Sequence, residues 1–422
     1  MLHIGIDDTD SLEGMCTTYI GAVLADELSK FAEVSSLKLV RLNPNIKWKT
    51  RGNGSVSLGL KTKEDEKVKE IVLDTVERYS EFACEDTNPG VVFFEGEIPE
   101  DFKTFYCRAL HGIVDIAEAE RLAESYRAEV HKFKNGRGVI GAIAAIGSDL
   151  RDHTHEIIAY RNKRMHRSKR RVDEKSVFEM DKATQPLTYN NVDYENSRVL
   201  ITPRTPCPVL FGIRGESEDI LRRAFEMVEI GEEIERAAIF ETNQCTDVHL
   251  EKVPKISEVR PYSSIIVEGT VKSLPKTLSG GHVIFSIMDF SGEIDCAAYE
   301  PTGSFRSAVK RLIPGDIVKA YGGVKDTVGL TVNLEKLEIL ELANFHEERN
   351  PLCPKCGKRM KSAGKDQGFR CRRCKTYNER KESIEVERGV VKGIHQVPPR
   401  AMRHLSKPLA RYTTKKGGSQ CL

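Results

Sequence analysis

The sequence has no long hydrophobic run and no export signal. No stretch of ~18 or more apolar residues occurs in its 422 residues, so a membrane-spanning helix is not expected. The N-terminus lacks the basic segment followed by an apolar segment that marks secreted proteins, and we expect a cytoplasmic protein. The eleven cysteines are odd in number and scattered except for one cluster, which disfavours a disulfide framework and favours reduced thiols with a metal.

Neither of the two familiar glycine motifs for nucleotides predicts a nucleotide site in this sequence. No G-x-x-x-x-G-K-[ST] sequence occurs, and GSVSLGLKT at 54–62 is only a near miss. GRGVIG at 136–141 matches G-x-G-x-x-G, but the pattern predicts a helix at 115–132 before it and a strand, VIGAIAAIG, after it. Because dinucleotide sites need the reverse order, we assign no nucleotide site to this motif.

Charge is unevenly distributed along the chain. The formal net charge is only +2. Residues 64–101 contain thirteen Asp or Glu against three Lys or Arg, whereas residues 388–422 contain eight Lys or Arg and no acid. We therefore expect the C-terminal tail to contact a polyanion.

The hydrophobic patterns predict several domains. Strand and helix patterns alternate in the N-terminal part, and PVLFGIRGE at 208–216 predicts a strand, a helix capped by Ser217 and a returning strand, AAIFETNQ. This second unit suggests a ferredoxin-like half packed closely on the first. After about residue 255, five strands with one short helix after the third describe an OB-fold barrel.

We therefore predict an α+β multidomain protein. The expected parts are an α/β N-terminal catalytic domain at 1–195, a ferredoxin-like domain at 196–255, an OB-fold nucleic-acid-binding β-barrel at 256–345, and a zinc ribbon with a basic C-terminal tail at 346–422.

Three carboxylates directly follow the first predicted strand. In GIDDTDS they are Asp7, Asp8 and Asp10, more than a helix N-cap needs. Clustered carboxylates repel each other unless a cation lies among them, and Mg²⁺, which usually bridges to substrate phosphates, fits their oxygen ligands. The helix start at Thr17 and Thr18 adds N–H groups for phosphate, although either hydroxyl can instead cap the helix.

A basic, glycine-containing loop can supply the opposite charge. It is KWKTRGNGS at 47–55, between two predicted strands, and its alternative interpretation is a basic hairpin turn. If ATP binds at the acidic loop, the residues expected to contact its phosphates are Lys47, Lys49, Arg51, Gly52 and Asn53.

The strongest motif is a pair of C-x-x-C sequences. Cys353 and Cys356 precede Cys371 and Cys374 with fourteen residues between the pairs, which is typical of a closed structural Zn²⁺ site. Residues 353–375 contain nine Lys or Arg and one acid. They favour phosphate contacts, and the alternative is partial neutralisation of the thiolates.

A second basic run, YRNKRMHRSKRR, holds seven Lys or Arg between residues 161 and 171. Either an exposed loop or a nucleic-acid contact explains it, and we favour contact. The residues that we assign to RNA binding are Arg161, Lys163, Arg164, Arg167, Lys358, Arg359, Arg370, Arg372 and Arg373.

Several motifs together carry a family resemblance. GIDDTDSLEGMCTT, TRGNG, PVLFGIRGE and ETNQCTD occur in this order, followed by the OB-fold and ribbon patterns. Nearly end to end, the chain resembles the archaeal agmatidine synthetases (TiaS). The resemblance implies an ATP-dependent carbon–nitrogen ligase that joins agmatine to C2 of the wobble cytidine in the CAU anticodon of isoleucine tRNA. ATP would end as AMP and pyrophosphate, and the tRNA would read AUA.

The resemblance also implies residue roles. The N-terminal domain would be kinase-like, with Asp7, Asp8 and Asp10 handling Mg²⁺ and phosphate, and with Thr18 as the threonine on which it acts. The similarity of PVLFGIRGE assigns agmatine to Phe211, Gly212 and Arg214.

Two other functions remain open from the sequence. A non-catalytic tRNA-binding scaffold would need only the OB-fold, the ribbon and the basic tail, but it would leave GIDDTDS without a purpose. An ATP-dependent ligase acting on another RNA would keep the enzyme and change the substrate. Nothing in the sequence indicates an obligate protein partner.

Overall fold

Most strands of the first 250 residues build one continuous sheet with helices on both faces. In the computed structural model, which describes residues 1–50, 52–326 and 329–414, the elements of the N-terminal part are β1 (Leu2–Asp7), α1 (Thr17–Leu28), β2 (Glu33–Arg41), β3 (Gly54–Lys61), α2 (Asp65–Tyr79), β4 (Gly90–Glu95), α3 (Glu100–His111), α4 (Ile116–Ser125) and β5 (Glu129–Lys132). The elements that follow are α5 (Gly138–Gly147), β6 (Thr154–Arg161), α6 (Glu174–Thr184), β7 (Thr188–Tyr189), β8 (Val192–Asp193), β9 (Arg198–Val199), β10 (Val209–Gly215), α7 (Glu218–Glu226) and β11 (Ile234–Thr242).

The sheet has nine strands in the order β5-β4-β1-β3-β2-β11-β6-β10-β7. Its two halves join where β11 pairs in parallel with β2, at Glu241 with Lys38 and Thr242 with Leu39. The expected close packing of the ferredoxin-like unit on the N-terminal part is therefore confirmed. The division expected between residues 195 and 196 lies within the second half of this sheet, and the domain boundaries stay predictions.

Strand alternation divides the apolar residues between two cores. In β4, Val91 and Phe93 pack with the core that contains α1 and α2, whereas Val92 and Phe94 pack with the core that contains α3, α4 and α5. Successive side chains of a strand point to opposite faces, so a fully apolar strand such as β4 has to be covered on both sides.

Two sequence predictions near residue 130 are wrong. The helix expected at 115–132 ends at Ser125, and residues 129–132 form the edge strand β5. VIGAIAAIG is the helix α5 rather than a strand, and Val139 through Ile146 are buried apart from Ile140. A short apolar run does not distinguish a buried helix from a buried strand, and the tertiary packing decides here.

The C-terminal part of the chain forms the barrel, the ribbon and a returning segment. Its elements are β12 (Glu251–Val253), β13 (Ser264–Val271), β14 (Lys276–Thr277), β15 (Val283–Met288), β16 (Glu293–Ala298), α8 (Phe305–Val309), β17 (Ile317–Asp326), β18 (Leu330–Glu341), β19 (His346–Arg349), β20 (Lys361–Ser362), β21 (Phe369–Arg370), β22 (Tyr377–Asn378), β23 (Glu382–Glu385), β24 (Gly393–Gln396) and α9 (Leu409–Thr414). The strands β13, β17, β18, β16 and β15 close into a barrel through pairing of β15 with β13, and α8 follows the third of them in sequence. The predicted OB-fold is confirmed.

Within the basic tail, residues 393–414 form a folded segment, which we call the C-terminal strap. β24 pairs with β18 of the barrel, and Leu405 is buried in the α3–α5 core. Arg411 is fully buried and donates to Asp152 at 2.8 Å and to Glu216 at 2.6 Å. Part of the tail's positive charge is therefore neutralised within the chain rather than offered to a polyanion. None of the helices in the described ranges is long and apolar enough to cross a bilayer.

Candidate active site

The acidic loop lies between β1 and α1, as the sequence predicts, and hydroxyl groups hold its shape. Asp8 adopts a left-handed backbone conformation with a φ of 61°. The Thr9 hydroxyl donates to the Thr17 hydroxyl at 3.0 Å, and the Thr87 hydroxyl donates to the Asp10 carbonyl at 2.8 Å. These bonds stabilise a turn from which all three carboxylates line one cavity.

Arg137 forms a two-pronged ion pair with Asp8. Its Nε donates to Oδ2 at 2.9 Å and its Nη2 donates to Oδ1 at 3.0 Å. Burial and the neighbouring Asp7 nevertheless raise the pKa of Asp8 to about 7, and burial raises the pKa of Asp7 to about 6. Two adjacent buried carboxylates whose charged forms are both disfavoured make a site that a bound cation would stabilise.

The motif GRGVIG lies beside these carboxylates. It follows the strand β5 and opens the helix α5, so the order expected from sequence is wrong here too. A Cβ at Gly141 would overlap the Asp7 carboxylate and the Ser55 hydroxyl, and a Cβ at Gly138 would overlap the Asp7 carbonyl. The glycines therefore let the first turn of α5 approach the acidic loop closely.

The carboxylates open into a cavity of about 940 Å³ that is lined by residues from both halves of the sheet, and we call it the main cavity. Thr17 and Thr18 at the start of α1 line it, as do Arg137 and Gly141 at the start of α5. Two helix N-termini, each with a partial positive charge, thus meet at the acidic end of the cavity. Such an arrangement can hold phosphate oxygens next to a carboxylate-bound cation.

A network of charged side chains forms another wall. Glu156 on β6 accepts from Arg214 Nε at 3.1 Å and from the Gln244 side chain. Arg214 Nη2 donates to His404 Nδ1 at 2.9 Å. Arg41, together with burial and Arg214, lowers the pKa of His404 well below its ordinary value, so this imidazole is neutral. Its Nδ1 accepts a hydrogen bond, which places the ring proton on Nε2.

The residues expected to bind ATP phosphates are divided between two cavities. Lys49, Gly52 and Asn53 line the cavity that contains the carboxylates, and a Cβ at Gly52 would collide with Arg41. Lys47 lines a neighbouring cavity instead. Arg51 lies outside the described residues.

The expected agmatine residues differ in their positions. Gly212 and Arg214 line the main cavity next to Glu156. Phe211 points the other way, is fully buried and packs against Phe225 at 5.4 Å between ring centroids. Its assignment to agmatine is therefore wrong, because alternation along β10 places its ring in the core under α7.

One residue of the expected RNA-binding set is also misassigned. Arg161 is 0% exposed, and its guanidinium pairs with Glu232 at 2.7 Å and donates to the Ser168 carbonyl at 2.8 Å. It closes a turn and does not face solvent. The other members of that set are exposed and stay predictions: Lys163, Arg164, Arg167, Lys358, Arg359, Arg370, Arg372 and Arg373.

The four cysteines of the ribbon form a metal-binding cluster. The sulfur atoms of Cys353, Cys356, Cys371 and Cys374 all lie within 4.8 Å of one another. Four thiolates at this spacing fit a tetrahedral Zn²⁺ ion and leave no position for water. The predicted structural zinc ribbon is thereby supported by geometry, and a bound Zn²⁺ would stabilise the fold of the ribbon.

Three site residues were missed by sequence reasoning. Arg137 lies inside GRGVIG and would have been found if VIGAIAAIG had been recognised as a helix. Glu156 carries a weaker signal, a lone acid in the apolar strand segment EIIAY. His404 carries none, because only the folding of the strap brings it from the far end of the sequence to the cavity beside the basic loop.

Comparison with known families identifies four regions of the chain. Family models match at residues 3–135 (TiaS TCKD domain), 136–249 (TiaS FLD domain), 265–340 (OB-fold nucleic acid binding domain) and 350–390 (TiaS C-terminal zinc ribbon domain).

Full-length relatives are similar throughout. The chain is 48% identical to the isoleucine-tRNA 2-agmatinylcytidine synthetase TiaS of Methanosarcina mazei, with 97% of each chain covered. It is 46% identical to the protein of the same name from Methanocaldococcus jannaschii, covering 97% of this chain and 98% of the relative. A crystal structure of TiaS in complex with its isoleucine tRNA, AMPCPP and agmatine superposes with a TM-score of 0.87 at 39% identity, over 99% of each chain.

Proposed function

Since the chain belongs to the TiaS family of isoleucine-tRNA 2-agmatinylcytidine synthetases, we propose that it joins agmatine to C2 of the wobble cytidine in the CAU anticodon of isoleucine tRNA, at the expense of ATP. The product is 2-agmatinylcytidine, and the modified tRNA reads AUA. The enzyme is then a carbon–nitrogen ligase that works in the cytoplasm, where its tRNA substrate is used.

The observation that carries this proposal is the composition of the 940 Å³ cavity. Three carboxylates and two helix N-termini lie at one end, and a wall with Glu156 and Arg214 lies further along. A relative solved with its isoleucine tRNA, AMPCPP and agmatine together supports placing all three reactants in one such cavity. A non-catalytic RNA scaffold would have no use for buried carboxylates with raised pKa values.

The chemistry requires activation of a poor electrophile. The C2 carbonyl of cytosine cannot lose oxide. Attack of its oxygen on a phosphorus atom of ATP breaks a phosphoanhydride bond, releases the rest of the nucleotide and leaves a phosphate ester at C2. When the agmatine nitrogen bonds to C2, the C2–O bond breaks, the oxygen leaves with the phosphate, and the nitrogen loses a proton. Phosphoryl transfer depends mainly on positioning and charge stabilisation, which the first turn of α1 at Thr17 and Thr18 and the positive end of α5 supply. The cytidine must leave its stack, which costs a few kcal/mol and least in an anticodon loop.

Asp7 and Asp8 fit a Mg²⁺ ion in this scheme, with Asp10 beside them. Their carboxylate oxygens are the ligands that Mg²⁺ prefers, and a bound ion would neutralise charge on the triphosphate. The pair with Arg137 leaves each Asp8 oxygen a second lone pair. Lys49, Gly52 and Asn53 lie where they can contact the phosphates, and Thr18 offers its hydroxyl as a second phosphoryl acceptor.

Agmatine is a dication, so its partner should be a carboxylate. Glu156 is the acid next to Gly212 in the cavity, and we assign the agmatine guanidinium to it. Arg214 carries the same charge as the ligand, and its role is to orient Glu156 through the 3.1 Å bond. Glu156→Gln should then raise the KM for agmatine far more than the KM for ATP.

Product analysis tests the function directly. The purified protein is incubated with ATP, agmatine and transcript isoleucine tRNA, each omitted in turn, and the nucleosides are analysed by mass spectrometry. A mass gain on cytidine that requires all three components is expected. A gain without agmatine, or on another RNA but not on this tRNA, would favour a different ligase.

Asp7→Asn and Asp8→Asn separate the enzyme from the scaffold. Both variants should lose ATP turnover, by roughly 100-fold or more since removing a group that stabilises developing charge has that size of effect, and both should still bind tRNA. Unchanged ATP turnover in both variants would sink the proposed role of the acidic loop.

A further inference from the structure

A second cavity of about 800 Å³ adjoins the one that contains the carboxylates. We call it the cationic cavity. It shares Arg41, Lys49, Gly52 and His404 with the main cavity, so the two are continuous. Its other walls come from four parts of the chain: residues 44–47, the segment 203–205, the barrel and the strap.

The charge of this cavity is strongly one-sided. Asp326 is the only acidic residue among the lining residues that the structure describes. The lining lysines and arginines are Arg41, Lys47, Lys49, Arg204, Lys325 and Arg403.

Two of these cations contact neighbouring parts of the fold. Arg403 on the strap donates to the Asn45 side-chain oxygen at 2.6 Å, and Asn45 Nδ2 in turn donates to the Ser263 carbonyl of the barrel at 2.9 Å. The Lys47 ammonium lies 5.6 Å from the centre of the Tyr262 ring. Loop, barrel and strap thus meet around one positively charged space that is built before any ligand arrives.

The crowding of positive charge costs free energy in the absence of a ligand. Burial, Arg403 and Lys325 together lower the pKa of Lys49 to about 8. An anion in the cavity would reverse this effect, because an opposite charge nearby favours the protonated amine. The cavity is therefore suited to a ligand with several negative charges.

The backbone of an RNA fits this cavity better than a nucleoside triphosphate does. A Mg²⁺-bound triphosphate needs carboxylates, and Asp7, Asp8 and Asp10 line the other cavity. A phosphodiester chain needs only fixed cations, one for each nucleotide. Trp48, the chain's single tryptophan, lies between Lys47 and Lys49, is 57% exposed and faces the main cavity, where a base can stack on it.

We propose that the cationic cavity binds the RNA backbone phosphates next to the nucleotide that enters the main cavity. The inference rests on the proposed function for the identity of that RNA, the isoleucine tRNA. In this arrangement one loop contacts a base through Trp48 and the adjoining phosphates through Lys47, with Arg204 and Lys325 contacting the same strand from the opposite walls. The cavity thereby holds the nucleotide out of its stack.

The test is the double variant Arg204→Gln/Lys325→Gln, which touches neither the acidic loop nor Glu156. Both side chains are exposed, so the fold should tolerate the change. The matched control is Lys175→Gln/Arg222→Gln, the same loss of charge on exposed helix positions outside the cavity. Affinity for the tRNA transcript is measured over a salt series, and affinity for ATP is measured separately by calorimetry.

The expected result is a loss of tRNA affinity of roughly tenfold or more at low salt. The slope of log affinity against log salt should fall by about 1.4, since each single-strand phosphate contact contributes ~0.7. The control should keep the wild-type slope, and both variants should keep the wild-type affinity for ATP.

The other outcomes distinguish failure of this inference from failure of the proposed function. If the double variant keeps the wild-type salt slope, the cavity does not bind the RNA backbone, even if the wild-type enzyme forms agmatidine. If its affinity for ATP falls while its affinity for tRNA does not, the cavity binds the triphosphate. If the wild type makes no agmatidine but the slope still depends on Arg204 and Lys325, the proposed function fails while the RNA contact stands.

Discussion

Charged side chains in the interior of this protein have two different roles. Arg161 and Glu232 form a buried ion pair, with 0% and 2% of their side chains exposed, and a ligand cannot reach them. Asp8 and Arg137 are also paired, but both line the main cavity. The run of basic residues around Arg161 indicated a single basic surface, because the sequence does not show which member of such a run is buried.

Arg161→Ala is expected to lower the free energy of unfolding by about 3–5 kcal/mol, because the Glu232 carboxylate would remain buried without its partner. Urea denaturation measures this loss. The matched variant Lys163→Ala, at an exposed position two residues away, should change stability by less than about 0.5 kcal/mol and should weaken tRNA binding instead. A stable Arg161→Ala protein with weak tRNA binding would restore Arg161 to the RNA-binding surface.

At the scale of elements, the helix α5 decides the geometry of the active site. Its first turn packs against the acidic loop only because Gly138 and Gly141 have no side chains. The strand β1, the loop, the helix α1 and all five barrel strands were predictable, since each has a periodic pattern or a capping signal of its own. The helix α5 was not, because it is apolar on every side and is enclosed by α3, α4 and the sheet.

Gly141→Ala should therefore reduce kcat by roughly 100-fold, the effect expected when a reacting group is displaced by about 1 Å. The new methyl group would push the Asp7 carboxylate away from its position. Initial-rate kinetics with saturating tRNA measure the effect. Gly292→Ala is the control, because its Cβ would meet only Ile256 at 3.8 Å, and that variant should keep wild-type activity. Equal activity of the two variants would show that α5 does not position Asp7.

At the scale of the whole molecule, Glu335 joins the barrel to the other parts of the chain. Burial alone would raise its pKa, but His249 and Arg403 outweigh burial and hold the pKa of Glu335 well below its ordinary value. His249 Nε2 lies 3.2 Å from the carboxylate, and Ser406 on the strap donates to it. One carboxylate thus stabilises contacts with the linker after β11 and with the strap.

This pKa shift predicts how stability depends on pH. Because the folded-state pKa is depressed, the stabilisation is complete above the unfolded-state value of about 4.5 and is lost as the pH falls below it towards the folded-state value. Glu335→Gln should lower Tm at neutral pH and make the Tm curve flatter below pH 4.5 than that of the wild type. Glu341→Gln, an exposed carboxylate at the end of the same strand, should leave the curve unchanged. Parallel acid curves for the wild type and Glu335→Gln would contradict this role.

The zinc ribbon should be the part of the molecule that depends most on metal. Its buried cluster consists of Cys353, Met360 and Cys371 with a few partly buried neighbours, which is too small to fold without an ion. Cys356→Ser should therefore lose the bound zinc and unfold the ribbon, while the nine-stranded sheet, with its own cores, keeps its thermal transition.

Because the ribbon's exposed arginines and lysines would then lose their fixed positions, the affinity for tRNA should fall while the affinity for ATP does not. Zinc content, calorimetry and binding assays measure the three effects, and Cys84→Ser, a free thiol outside the cluster, should change none of them. A Cys356→Ser protein with full zinc content, or one whose main transition collapses together with the ribbon, would contradict the view that the ribbon folds around its metal independently of the catalytic sheet.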